Sequence, residues 1–345
     1  SSVSYGSDAL GGVIHFYTKQ PVLKKIGISA FTRYSTAADE RTGGFSLNVG
    51  GNKLASFSNL TYSDFGDLRQ GANKYQPGTD SWRRPFYVIT NGNQDQVVPN
   101  NNLNVQKQSG YQQLDLMQKF LFKNNDNMSQ VVNLQYSTSS DIPRYDRLAQ
   151  IQNNNPAYAE WYYGPQQRLL TSYQLKLNGF QGLFNRSNIT AAYQKIKESR
   201  HDRRFNSPNL NNRLEELDIF SLNADFNKSW NRNNLSYGLE LTHNGVNSSA
   251  YRLNTATRER TALDTRYPDG GSQVFSAAAF FSHRYEISQV LSVNEGLRLS
   301  HVNLKSKFND QTFFPFPFNS VKQVNTSLSG NLSIVYKPAE DWKFS

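Results

Sequence analysis

Leu217-Asp218-Ile219-Phe220-Ser221-Leu222-Asn223-Ala224-Asp225-Phe226-Asn227 is the stretch on which the fold turns. Phe220, Leu222, Ala224 and Phe226 alternate with Ser221, Asn223, Asp225 and Asn227. A period of two puts successive side chains on opposite faces of a β-strand, so one face is apolar and the other carries amides, hydroxyls and a carboxylate. The next segment repeats the scheme, with Leu235, Tyr237, Leu239 and Leu241 set against Ser236, Gly238, Glu240 and Thr242. Upstream, Val132, Leu134 and Tyr136 alternate with Asn133, Gln135 and Ser137, and residues 326–337 follow the same rule.

About a dozen such segments are expected, beginning with residues 25–34, 42–50 and 54–65. A soluble sandwich also alternates, so the connections carry the distinction. Short ones at 50–53, 124–127, 179–184, 228–234, 285–289 and 338–341 are rich in Gly, Asn and charge. Long ones at 66–108, 140–166, 200–213, 248–272 and 305–322 separate them in strict order. That order collects every long loop at one end, as in outer-membrane barrels with short periplasmic turns and long extracellular loops. Strand length agrees, since about 9 to 11 tilted residues cross a bilayer. Phe120, Phe122, Phe226, Trp230, Tyr336 and Trp342 fall near the short-turn ends, where an interfacial girdle belongs. Glu295 does not fit, because it shares the face of Leu291, Val293, Leu297 and Leu299, which implies a bulge or a different register.

Composition supports a thin wall over a thick core. Of 345 residues, 37% are hydrophobic and 13% aromatic, and no cysteine is present for a disulfide framework or a Cys-based zinc site. No run approaches the roughly 18 apolar residues of a membrane helix, so a membrane protein of this sequence is a barrel in contact with outer-membrane lipid. The formal charge of +10 raises nucleic-acid binding. The basic residues are dispersed, however, among segments such as Arg83-Arg84, 200–204 and 252–266, where nucleic-acid recognition needs one basic stripe.

Residues 1–21 follow a different rhythm. Tyr5-Gly6-Ser7-Asp8 is turn chemistry, Gly11-Gly12 opens backbone conformations closed to other residues, residues 13–18 have strand composition, and Lys19-Gln20-Pro21 ends them. Read by themselves they also suit a hairpin with a glycine bulge. Their order resembles the last stretch of the plug domain of TonB-dependent outer-membrane receptors, where Tyr-Gly-Ser-x-Ala-x-Gly-Gly-Val-Ile-x runs into Thr-Lys-x-Pro. His15 stands where that family usually has Asn. Residues 62–71 are similar to the end of the third barrel strand. Residues 141–148 and 161–168 are similar to a long-loop pattern of the haem, haemoglobin and transferrin-type branch.

The resemblance implies an all-β chain: residues 1–21 end a plug, and 22–345 supply about 12 of an expected 22 antiparallel barrel strands. A piece of that kind has unpaired backbone at 25–34 and 326–337. It also implies uptake of an iron compound, with haem or a haemoprotein placed ahead of a ferric siderophore. Iron or haem would be cargo and no cofactor would be permanently bound. TonB, ExbB and ExbD would supply energy, and the location would be the outer membrane of a Gram-negative bacterium. A passive porin or adhesin barrel is the alternative.

Binding and passage fit the residues better than catalysis. There is no phosphate loop, His-Glu-x-x-His, Gly-x-Ser-x-Gly or Cys nucleophile, and Glu215, Glu216 and Asp218 read as a solvated strand end. The histidines are His15, His201, His243, His283 and His301. His201 is the best iron-ligand candidate, with Arg203 and Arg204 beside it to pair with propionates; without a ligand the same residues make a solvated charged loop. Arg144, Arg147, Tyr162, Tyr163 and Arg168 form a second group suited to stacking and anion pairing, or to packing on itself. His15 lines the passage of a moving plug or is a hydrogen-bonded plug histidine.

Overall fold

The computed structural model describes residues 13–71, 83–92, 94–339 and 342–344. Twelve long strands form one sheet: β1 (Ile26–Ser35), β2 (Glu40–Gly50), β3 (Leu54–Phe65), β4 (Tyr111–Asn125), β5 (Met128–Ser139), β6 (Gln167–Asn178), β7 (Arg186–Arg204), β8 (Asn209–Trp230), β9 (Asn233–Asn254), β10 (Ser272–Glu286), β11 (Leu291–Lys307) and β12 (Ser320–Ala339). A stub, β13 (Trp342–Phe344), pairs with the end of β12. Every long strand is antiparallel to its sequence neighbours. This is the all-β meander expected from the alternation.

The register carries the alternation across the whole sheet. Val132 faces Tyr173, Leu222 faces Ala191 and Leu241, Leu239 faces Ala279, and Leu299 faces Leu328. Leu134, Leu222, Leu239 and Leu332 on this apolar face are 39% to 71% exposed. The opposite face is polar yet sheltered: Asn48, Lys119, Asn133 and Arg298 are all below 10% exposed. A sheet with its apolar side chains outward and its polar side chains covered is inverted relative to a soluble sandwich, and matches a wall with lipid outside. Aromatic side chains meet at the short-turn end, with Phe226 5.2 Å from Tyr237 and 5.4 Å from Phe184, and Trp342 6.0 Å from Phe344, and a second set meets in the long loops, as where Phe316 lies 5.2 Å from Phe318.

Glu295 needs neither a bulge nor a new register, since β10 and β11 pair without interruption. It lies opposite His283, whose Nδ1 is 3.0 Å from Glu295 Oε1 and whose Nε2 is 2.9 Å from Asn233 Oδ1. Trp230 stacks on the same imidazole at 6.1 Å. A carboxylate on the apolar face is therefore given its partners close to the short turn.

Three expected long loops are shorter than their composition suggested. The 200–213 connection is only residues 205–208, because β7 and β8 stay paired through Arg200↔Arg213, His201↔Asn212 and Arg203↔Leu210. At 248–272, β9 continues to Asn254 and a short strand, Arg260–Ala262, pairs back onto it. At 305–322, β11 runs to Lys307 and β12 starts at Ser320. Above the apolar belt both faces of a hairpin are polar, so the pairing persists after the sequence pattern has gone.

Residues 13–18 carry no strand and no neighbouring strand pairs with them among the described residues, so the strand expected there is corrected. Val13, Ile14, Phe16 and Tyr17 are exposed, since no sheet among the described residues pairs with their backbone. Their tether is Lys119 on the polar face, whose Nζ donates to Thr18 Oγ1 at 2.6 Å. Tyr5, Gly6, Ser7, Gly11 and Gly12 lie outside the described residues.

Candidate ligand-binding site

At the long-loop end, cationic side chains lie against aromatic rings. Residues 140–166 leave β5 and return along the edge of β7. In the strand Tyr158–Tyr163, Ala159 and Trp161 are buried and alternate with half-buried Tyr158, Glu160 and Tyr162, while Tyr163 follows Trp161 on the same face, so a period of two docks this segment despite a register shift between Tyr158 and Glu160. It pairs with Arg200–Arg204 of β7 on one side, and Ile142–Pro143 pairs with Tyr162–Tyr163 on the other. The helical turn Tyr145–Leu148 closes the loop by burying Tyr145 and Leu148.

Two guanidinium groups lie on this ladder. Arg144 sits 4.8 Å from the Trp161 ring and 5.9 Å from Tyr163, and Arg200 sits 5.4 Å and 5.5 Å from the same rings. Such contacts contribute roughly 0.5 to 2 kcal/mol each, depending on desolvation. Arg144 Nε also donates to Asp146 at 2.8 Å, and its Nη1 donates to the Tyr163 hydroxyl at 3.0 Å. Both partners hold the Arg144 guanidinium protonated, Asp146 most strongly.

His201 lies flat on Tyr162, with centroids 4.7 Å apart and planes 18° apart, and its Nδ1 shares a 2.7 Å hydrogen bond with Asn212 Oδ1. Burial, reinforced by the nearby Asp141 and Glu160 carboxylates, pushes the Tyr162 phenol up to about 12, so it remains neutral. Burial also raises the Asp141 carboxyl, against the opposing field of His201. Arg204 covers the Tyr158 ring at 4.4 Å and donates to Gln152 at 3.1 Å, and it stays exposed.

Arg203 corrects the pairing expected of it. All five of its N–H donors are taken: Nε by Glu160, the Nη1 pair by Asp95 Oδ2 and the Ser207 carbonyl, the Nη2 pair by Asp95 Oδ1 and Thr90 Oγ1. The side chain is 4% exposed and that of Asp95 1%. Arg203 therefore ties the hairpin of Phe86–Asn91 and Gln94–Pro99 to β7, and leaves no donor for an incoming propionate.

The second predicted group is divided. Arg144, Tyr162 and Tyr163 come together at the rim, and Arg147 extends from the helical turn toward Asp146 at 4.0 Å. Arg168 is lower, on the polar face of β6, where Nε and Nη2 both donate to Gln194 Oε1 at 3.0 and 2.8 Å. It borders a cavity of about 420 Å³ with Thr18, Asp115 and Glu198. Of the other histidines, His15 is exposed and contacts Tyr17, while His243, His283 and His301 lie on the apolar face. No group of three metal-ligating side chains forms among the described residues. Glu215 turns inward to Arg266, whereas Glu216 meets Lys195 and Lys197 on the opposite face, so these carboxylates do not converge. The partners that sequence reading missed are Arg200, Glu160, Thr90 and Asp95. Only pairing across more than 35 residues makes them neighbours.

The model of the family described as "TonB dependent receptor-like, beta-barrel" matches residues 118–345. No curated protein matches the sequence. Among solved structures, the chain is similar to the copper transporter OprC, with a TM-score of 0.67 and 10% identity over 93% of this chain and 44% of that one. It is similar to the ferric yersiniabactin uptake receptor FyuA from Yersinia pestis, with a TM-score of 0.66 and 16% identity over 99% and 49%. It is also similar to the ferric citrate transporter FecA in the unliganded form, with a TM-score of 0.60 and 15% identity over 99% and 46%. The chain thus spans about half the length of these structures.

Proposed function

Because the chain belongs to the TonB-dependent receptor-like β-barrel family, whose members sit in the outer membrane of Gram-negative bacteria, we propose that it forms part of a receptor that imports a small ferric chelate. The observation that carries this reading is the rim above the membrane wall, where Arg144, Arg200, Arg204, Tyr162 and His201 are fixed by strand pairing and aromatic stacking. Fixed cations beside aromatic faces suit an anionic, partly planar ligand.

A compact chelate fits better than haem. The three similar structures are named for copper, ferric yersiniabactin and ferric citrate, and the arginine assigned to a propionate is fully engaged. The receptor family also sets aside the passive porin. In this reading residues 1–21 end a plug, residues 22–345 supply the first part of a barrel of about 22 strands, and TonB with ExbB and ExbD drives release into the periplasm. The pairing edges of β1 and β12 would be satisfied by further strands, as a membrane wall requires.

Uptake of radiolabelled ferric citrate and ferric yersiniabactin by cells whose only ferric receptor is the full-length protein tests this. Accumulation of at least one chelate should occur and should stop when TonB is deleted. Accumulation that persists without TonB, or growth supported by haem and by neither chelate, would overturn the proposal.

A further inference from the structure

The outward face of the sheet changes character above its apolar belt. On β11 it runs through Leu299, His301, Asn303, Lys305 and Lys307, and on β12 through Leu328, Thr326, Val324 and Lys322, with no break in the pairing. Lys305 stands directly opposite Lys322, and Lys307 is the diagonal neighbour of Lys322 on the same face. All three are exposed, and among the described residues no ion pair or hydrogen bond reaches their ammonium groups. Like charges directly opposite each other across a strand pair are destabilising, and an anion between them offsets the repulsion.

The register joins these lysines to a second pair built differently. One row of the ladder passes from Lys195 through Asp218, Gly245 and Gln273 to Lys305 and Lys322. At its β7 end Lys195 and Lys197 both reach Glu216, at 3.3 and 3.0 Å. At its β12 end no carboxylate plays that part. Between the two ends the face is hollow. Gly245 supplies no side chain, and the loop backbone is held against β11, where the Gly270 N–H donates to the Lys307 carbonyl and the Lys307 N–H to the Gly271 carbonyl, each at 3.0 Å. The recess left there is about 770 Å³ and is bordered by Lys305, Lys307 and Lys322. Asp218 lies at its far side, where it accepts from the Tyr193 hydroxyl at 2.6 Å. A second concavity of about 460 Å³ adjoins it toward the membrane, for its Phe220, His243 and Phe275 sit two residues along the strands from the recess residues Asp218, Gly245 and Gln273. Ala191, Leu222 and Leu241 continue this lower groove into the apolar belt.

We propose that this face binds one lipid of the outer leaflet whose headgroup carries a phosphate. Lys305, Lys307 and Lys322 take the phosphate at the recess, and an acyl chain lies in the groove below. Basic side chains at a membrane surface attract anionic headgroups, and an ammonium on a flexible stem meets a phosphate without needing a fixed orientation. Such a site goes beyond uptake and depends only on the placement of the wall in the outer membrane, whichever chelate is imported.

Calorimetric titration of the purified full-length receptor in dodecyl maltoside micelles tests it, with phosphatidic acid as the probe. Diacylglycerol with the same chains lacks the phosphate and inorganic phosphate lacks the chains, so both should bind much more weakly. Replacing Lys305, Lys307 and Lys322 together by Gln should weaken phosphatidic acid by at least about tenfold. That variant should melt no lower than the wild type without lipid, since it removes charges that face one another. Replacing Lys195 and Lys197 by Gln should cost less than about threefold, because Glu216 and Asp218 already balance those lysines. Ala191→Phe fills the groove and should weaken phosphatidic acid while leaving inorganic phosphate unchanged. Absence of phosphatidic acid binding to the wild type, inorganic phosphate bound as tightly, equal losses in the two lysine variants, a lower melting temperature for the triple variant, or wild-type affinity in Ala191→Phe would each overturn the assignment. Chelate uptake that fails while this lipid still binds would sink the transport reading alone.

Discussion

The β8–β9 hairpin contains two kinds of structure, and they are stabilised differently. In its lower half, Leu222↔Leu241 and Ala224↔Leu239 repeat one apolar face, and each position is defined by which side it takes. In its upper half, the hairpin continues through Asn212↔Tyr251 and Leu210↔Leu253, and beside it Arg203 is defined by which side chains reach it. The wall is a periodic object in which one residue resembles the next on its face. The rim is a set of specific polar networks, where removal of one member leaves others buried and unpaired.

The largest effect should come from breaking such a network. Arg203→Ala leaves Asp95 buried with one arginine fewer, and losing one partner of a buried ion pair costs about 3 to 5 kcal/mol. Hydrogen exchange in the 86–99 hairpin should accelerate more than a hundredfold, with the wall unaffected. Asp95→Ala should act similarly, and the double variant should cost less than the sum. Acid offers a second route. Burial opposes ionisation of Asp95, but Arg203, Thr90 and the Asn206 N–H outweigh it and hold the carboxyl below its usual range. A depressed carboxyl stabilises fully above its unfolded value and loses that contribution as pH falls through its folded value. The hairpin should therefore stay docked at pH 5 and loosen below the ordinary aspartate range. Loosening between pH 7 and 5 would contradict the assignment.

The wall is broken by face. Leu241→Arg puts a charge on the lipid side and should cost about 2 to 4 kcal/mol near the bilayer middle. Thr242→Arg, one residue along and on the polar side, should cost less than about 1 kcal/mol, because that face meets other polar groups. Urea unfolding of the full-length receptor in vesicles measures both. Equal costs would remove the inside-out reading of the sheet.

These contrasts explain what could be read from the sequence. Alternation from Val132 to Tyr136, or from Phe220 to Phe226, states strand and face, and the alternating short and long connections order the strands, so the meander was legible in the sequence. The tops of β7 and β8 were not, because both faces of 200–213 are polar and a paired strand there resembles a loop. The same blindness affected the site. Trp161-Tyr162-Tyr163 stood out by composition, but Arg200 enters only because β7 aligns Tyr163 with it. Pairing partners far apart in sequence leave no periodic trace, whereas a face does.

Glu295 lies between the two regimes and gives the smallest predicted effect. It occupies an apolar-face position, as Leu241 does, yet it pairs with His283 under Trp230 close to the short turn, and its side chain is 52% exposed. A half-exposed pair contributes little, about 0 to 1 kcal/mol, and carboxylates near the interface cost far less than charges at mid-depth. Glu295→Gln should therefore shift unfolding by no more than about 1 kcal/mol, with His283 still held by Asn233. Leu299→Glu moves the same chemistry four residues along β11, opposite Ala279 and Leu328, where no such partner is aligned with it. It should cost more than Glu295→Gln in the same vesicle assay. If Glu295→Gln proved as damaging as Leu241→Arg, the carboxylate would belong with the buried networks of the rim and the interfacial placement of this end of the sheet would be wrong.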